Sequence, residues 1–158
     1  MKVYLATDHA GLDLKEKVKV FLQKEDYNVE DCGAYEFDKD DDYPDFISIA
    51  AEAVSKDPEN SRGIIFGGSG QGEAIVANKY KGVRAVVFYG KVPEIISLSR
   101  EHNNANVLSI GARFVDEKEM LELIKQWLKM AFSGDARHAR RIEKIKDIED
   151  MNGCGCAC

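Results

Sequence analysis

The chain is predicted to form a single α/β domain, an open parallel five-stranded sheet with helices on both faces (Rossmann-like) and an extended C-terminal helix. Three observations lead there. Strand-like and helix-like segments alternate along the sequence as β-α-β-α-β-α-β-α-β-α-α, the signature of an open parallel sheet. A strand of buried character, Gly63 to Phe66, runs into a glycine-rich turn over 67–72 and then a helix. The 158 residues suffice for one domain with a sizeable core and are short for two.

The elements follow in order. Lys2 to Thr7 is β-prone, and Leu14, Val18, Phe21 and Leu22 then fall on one helical face. Tyr27 to Glu30 is a weak strand closed by Asp31-Cys32-Gly33, and the acidic run over 38–42 is a loop. Pro44 opens a helix over Asp45 to Ser55, a position that suits proline because the first helical N–H groups lack intrahelical partners. After the glycine turn come a helix over Glu73 to Lys79, the clearest strand over Val83 to Tyr89, and a helix over Pro93 to Arg100. A strand over Asn106 to Ile110 and an amphipathic helix over Asp116 to Ala131 follow. Ser133-Gly134-Asp135 breaks the chain before a last helix over Ala136 to Met151, whose Ile142, Ile145 and Ile148 form a narrow stripe suited to a partner subunit or to its own sheet. Residues 1–151 are read as the domain and 152–158 as a flexible Cys-rich tail.

Composition excludes several function classes. The net charge of −6 argues against a general nucleic-acid surface. The basic cluster of Arg137, Arg140, Arg141, Lys144 and Lys146 suits a small anion better than a polyanion. The longest apolar runs are strand-sized, short of the ~20 residues of a membrane span. Met1 leads directly into a strand, so the expected compartment is the cytoplasm. Cys32 stands alone, and Cys154, Cys156 and Cys158 are spaced too closely for a disulfide framework, which fits a frayed end in a reducing compartment.

The glycine turn, Gly67-Gly68-Ser69-Gly70-Gln71-Gly72-Glu73, fits neither nucleotide loop. A Walker loop needs Lys-Ser/Thr where Glu73-Ala74 stand, and G-x-G-x-x-G spacing is missed. Gly68, Gly70 and Gly72 let backbone amides converge on an anion, so the turn fits a nest for an oxyanion. Glu73 at the helix start is either a complement to the helix dipole or a general base; position alone favours the former. All three histidines, His9, His102 and His138, fall at loops or helix starts. Arg137 and Arg141, four apart, share a helix face and can grip a phosphate dianion, joined by Arg113 beyond a strand end.

The ordered set of Asp8-His9-Ala10-Gly11 with Leu14-Lys15, Asp42-Tyr43-Pro44-Asp45, the glycine turn through Ala77-Asn78-Lys79, Gly82-Val83-Arg84-Ala85, Arg100-Glu101-His102-Asn103, Gly111-Ala112-Arg113 and Arg137-His138 with Arg140-Arg141 resembles the ribose-5-phosphate isomerase B and galactose-6-phosphate isomerase family. The resemblance covers about residues 1 to 145. Many members carry a cysteine base at the position of Gly67; this chain resembles the subgroup in which a glutamate, here Glu73, is the base. The resemblance implies an aldose–ketose isomerase acting on a small phosphorylated sugar through a cis-enediolate, with no metal or cofactor. It implies ring opening by Asp8 and His102, enediolate stabilisation by Ser69 and the amides around Gly68 to Gly72, and phosphate binding by Arg137 and Arg141 with His9, His138 and Arg113. It also implies a homodimer, or a tetramer, with a shared pocket. Tyr43, His102, Asn103 and Arg113 would face a pocket whose Asp8, Glu73 and Ser69 belong to the other chain. The competing readings are an isomerase of another sugar, six-carbon phosphate or unphosphorylated aldose, and a non-catalytic sugar-phosphate-binding module on the same fold.

Overall fold

The computed structural model describes residues 1–90 and 92–153, and through 151 their side chains. Five strands form one sheet: β1 (Lys2–Thr7), β2 (Asn28–Asp31), β3 (Ser61–Gly67), β4 (Ala85–Phe88) and β5 (Val107–Gly111). Their spatial order is β2-β1-β3-β5-β4, and every pairing is parallel. The helices are α1 (Leu12–Lys24), α2 (Tyr43–Lys56), α3 (Gln71–Ala77), α4 (Glu94–Asn103), α5 (Glu117–Lys129) and α6 (Ala136–Gly153).

Side chains alternate across a strand, and the two faces of the sheet bury different sets. Val3, Leu5, Ile64, Phe66, Leu108 and Ile110 pack with Leu14, Val18 and Leu22 of α1, Ile96 of α4 and the apolar stripe of α5. Ala6, Ile65 and Val107 on the other face pack with Ile47, Ala50, Ala51 and Val54 of α2 and Ala77 of α3. Trp127 of α5 is wholly buried, and its indole N–H donates to Ser99 Oγ at 3.2 Å, so no polar atom is stranded. Truncating such a residue to alanine costs about 3–5 kcal/mol.

Several boundaries differ from the sequence reading. α3 starts at Gln71, two residues early, because Gly70 takes a left-handed φ of 73° and turns the chain directly into the helix. α4 runs on to Asn103, ending where Asn104 adopts φ 46°, so His102 lies in the last helical turn and not in a loop. β4 is shorter than expected because Arg84 N–H donates to the Asn106 side chain and not to a neighbouring strand. α6 joins neither core cluster. Glu149 accepts from the Gly82 N–H at 2.9 Å and Asp150 pairs with Lys81 at 2.5 Å, while Ile145 and Ile148 stay exposed. The helix reaches two residues into the expected tail; residues 154–158, with Cys154, Cys156 and Cys158, lie outside the described residues. Among the described residues no helix is long and apolar enough to cross a membrane.

Candidate active site

In open α/β sheets ligands bind beyond the carboxyl ends of the strands, where chain connections diverge. Here β1 and β3 are neighbours whose following helices cover opposite faces of the sheet. A cavity of about 340 Å³ opens beyond the ends of β1, β3 and β5, lined by Asp8, His9, Ala10, Tyr43, Gly68, Ser69, Gly72, Glu73, Arg113 and Phe114. A second cavity, about 410 Å³ beneath α6, contains none of these residues.

Each side chain has a local reason to be there. Asp8 follows β1 and caps a single 3-10 turn, His9–Gly11, by accepting the Ala10 N–H at 2.9 Å. His9 Nδ1 meets Asp41 Oδ1 at 2.6 Å, and the His9 backbone N–H donates to the same oxygen at 3.2 Å. Asp41, with its second oxygen buried and without a hydrogen-bond partner among the described residues, was hidden in the sequence among the acidic residues of the 38–42 loop. The Arg113 guanidinium lies against Gly68, where an added Cβ would come within 3.2 Å of it. The Tyr43 ring packs on Gly72, where an added Cβ would stand 2.7 Å from it. Ser69 Oγ accepts weakly from the Gln71 N–H at 3.4 Å. Gly70 supports the turn from behind, its carbonyl accepting from Ser109 Oγ at 2.6 Å.

Glu73 is the third residue of α3 and only 4% exposed. A helix N-terminus lowers a carboxyl pKa, but here burial dominates and pushes it above the ordinary glutamate value, with the charge of nearby Asp8 adding to the rise. Such a carboxylate accepts a proton closer to neutral pH than an exposed one does. Cys32 is buried, and burial pushes its thiol up to about 11, which leaves it protonated and unreactive.

Three of the remaining expected residues, His102, Arg137 and His138, form a second cluster. His102 stacks on His138, ring centroids 4.3 Å apart. Arg137 Nε donates to His138 Nε2 at 3.2 Å, so that nitrogen is an acceptor. Burial, then the neighbouring His102 and Arg137 charges, hold the His138 pKa below the usual histidine value. Asn103 lines a different hollow, between β4 and α6. Within one chain His102, Asn103, Arg137, His138 and Arg141 do not line the Glu73 cavity. Tyr43 and Arg113 do, in the same chain as Asp8, Ser69 and Glu73, which corrects their expected placement on the partner side.

Asp8, His9 and Asp41 bring one ligand-type atom each within 4.8 Å. Two ligands at about 2.0–2.2 Å from a tetrahedral metal stand more than about 3 Å apart. The 2.6 Å between His9 Nδ1 and Asp41 Oδ1 is instead the length of a charge-assisted hydrogen bond.

The family model for Ribose/Galactose Isomerase matches residues 3–145. The ribose-5-phosphate isomerase B of Mycolicibacterium paratuberculosis is 41% identical over 149 residues, covering 94% of this chain and 92% of that one. The crystal structure of ribose-5-phosphate isomerase B from Mycoplasma genitalium, with bound ribulose-5-phosphate, superposes with a TM-score of 0.90 at 40% identity, over 94% of this chain and 96% of that one. The Clostridium thermocellum ribose-5-phosphate isomerase B gives a TM-score of 0.88 at 41% identity, over 96% and 99% of the two chains.

Proposed function

The chain belongs to the ribose/galactose isomerase family, and from that premise we propose that it interconverts ribose 5-phosphate and ribulose 5-phosphate with Glu73 as the base. The observation that carries the assignment of the base is the burial of the Glu73 carboxyl beside Asp8 and Ser69 in one cavity.

The reaction moves a proton between adjacent carbons. Asp8 and His102 open the sugar ring. Glu73 removes the C2 proton of the free aldehyde, and the released electron pair forms a C1–C2 double bond as charge moves to oxygen. Ser69 and the amides from Gly68 to Gly72 stabilise that cis-enediolate by donating hydrogen bonds to it. Transfer of the hydroxyl proton from O2 to O1 and return of the carbon-bound proton from Glu73 to C1 give the ketose. Tyr43 and Arg113 line the sugar's berth. Arg137 and Arg141 hold the phosphate with His9, His138 and Arg113.

For Arg137, Arg141, His138, His102 and Asn103 to act at the Glu73 cavity, they must come from a second subunit, so the working form is a homodimer or a tetramer built from such dimers. Ile75 on α3 is 61% exposed, with Ile95 and Leu98 on α4 at 48% and 42%. Exposed apolar side chains on these two helices support such an interface. The proposed compartment is the cytoplasm.

The test is a panel of ribose 5-phosphate, a six-carbon aldose phosphate and free ribose, assayed with purified protein for aldose–ketose exchange. Highest kcat/KM on ribose 5-phosphate supports the reading. Preference for the six-carbon phosphate or free ribose moves the substrate assignment, and exchange on none of them removes it.

A further inference from the structure

His9 is held at Nδ1 and at its backbone N–H by a single residue. Asp41 takes both its Nδ1 and its backbone N–H on one carboxylate oxygen, and the Asp41 side chain is only 7% exposed. The ring also meets Phe37 edge-on at 5.9 Å. With Nδ1 committed to Asp41, the other ring nitrogen, Nε2, is the one His9 offers to the cavity that it lines. The second Asp41 oxygen is buried and has no hydrogen-bond partner among the described residues. A carboxylate in that condition gains most from a full positive charge at its one bonded partner.

We propose that Asp41 is the positioning residue for His9. It holds the imidazole in one orientation and in the protonated state, so that Nε2–H reaches the substrate as a charged donor and favours a phosphorylated over an unphosphorylated sugar. This rests on the sugar-phosphate reading above. The charged groups facing His9 are Asp41 from the loop before α2, Asp8 at the end of β1 and Arg113 beyond β5. The hydrogen bond to Asp41 is the largest influence and raises the His9 pKa; burial and Arg113 oppose it, and Asp8 adds to it. Asp41 touches neither substrate nor reacting atoms in this account, and acts only through His9.

Asp41→Asn keeps the shape and an acceptor but removes the charge. Its expected effect is an increase of about tenfold in KM for ribose 5-phosphate at pH 7, the size of one charge-assisted hydrogen bond. That loss should shrink as the pH falls below about 6.5, where an unaided histidine protonates. kcat should change little, and KM for free ribose should not change. In a His9→Asn background, Asp41→Asn should add nothing, and Asp41→Glu should restore part of the wild-type KM. The His9 ring resonances, assigned by their loss in His9→Asn, should titrate at a lower pH in Asp41→Asn than in wild type. This titration and calorimetric binding of inorganic phosphate need no turnover, so they test the His9–Asp41 link even on a protein that isomerises nothing. An unchanged His9 titration, additive losses in the double variant, or an equal KM change for both sugars overturns the proposal.

Discussion

Gly67 and Glu73 share one space. A side chain begun at residue 67 would grow into the Glu73 carboxyl, whose farther oxygen stands 2.7 Å from the Cβ position. The end of β3 and the first turn of α3 are so close that only one of the two residues can carry a side chain there. The glycine at 67 is thus a spatial requirement for the buried glutamate.

Gly67→Ala is expected to displace the carboxyl while leaving the strand intact, since β3 pairs through its backbone on both sides. A displacement of about 1 Å at a reacting group costs on the order of 10² in rate. kcat should fall by about that factor with an unchanged circular dichroism spectrum. Wild-type kcat in Gly67→Ala would show that the carboxyl can leave this position without penalty.

Glu73 also makes a stability prediction. Its pKa is raised in the folded chain, chiefly by burial, so the folded state binds its proton more tightly than the unfolded state does. The contribution to stability is full below the unfolded value, about 4.3, and is lost as pH rises through the folded value. At neutral pH the charged form is therefore a cost, and Glu73→Gln removes it. The melting temperature of Glu73→Gln should exceed that of wild type at pH 7.5. At pH 4 the difference should vanish. A gain at pH 4 that equals the gain at pH 7.5 would place its origin outside this ionisation.

Much of this arrangement was legible in the sequence. The alternation of elements settled the sheet class, and the glycine turn before Glu73 marked the cavity. Its left-handed residue, Gly70, was harder to assign, because any of the turn's glycines could have taken that conformation, and the start of α3 was misplaced accordingly. Asp41 was invisible because one acid in an acidic run carries no sign of being turned inward. The placement of Tyr43 and Arg113 on the partner side came from the family resemblance, and order along the chain could not correct it, because it does not say which strand ends are neighbours in the sheet. β5 lies beside β3, and that adjacency alone brings Arg113 to Gly68.

Subunit mixing tests the shared site. Glu73→Gln damages the cavity, and His102→Asn damages the stacked-histidine cluster that lies apart from it in the same chain. Each variant alone should be crippled on ribose 5-phosphate. Co-expressed, half of the random dimers are hybrids, and each hybrid carries one site with both native contributions. Recovery to about a quarter of wild-type activity is expected. An activity no higher than the mean of the two variants would mean that His102 serves its own chain or none.

The most direct test of the base is turnover by Glu73→Gln, followed in D₂O so that carbon-bound exchange is read together with rate. Removing a general base costs about 10²–10⁴ in kcat, and the amide preserves shape, so KM should change little. Wild type should carry solvent deuterium into the product at the carbon that receives the proton, and Glu73→Gln should lose that incorporation together with kcat. Near-normal kcat with undiminished deuterium incorporation in Glu73→Gln would contradict the assignment.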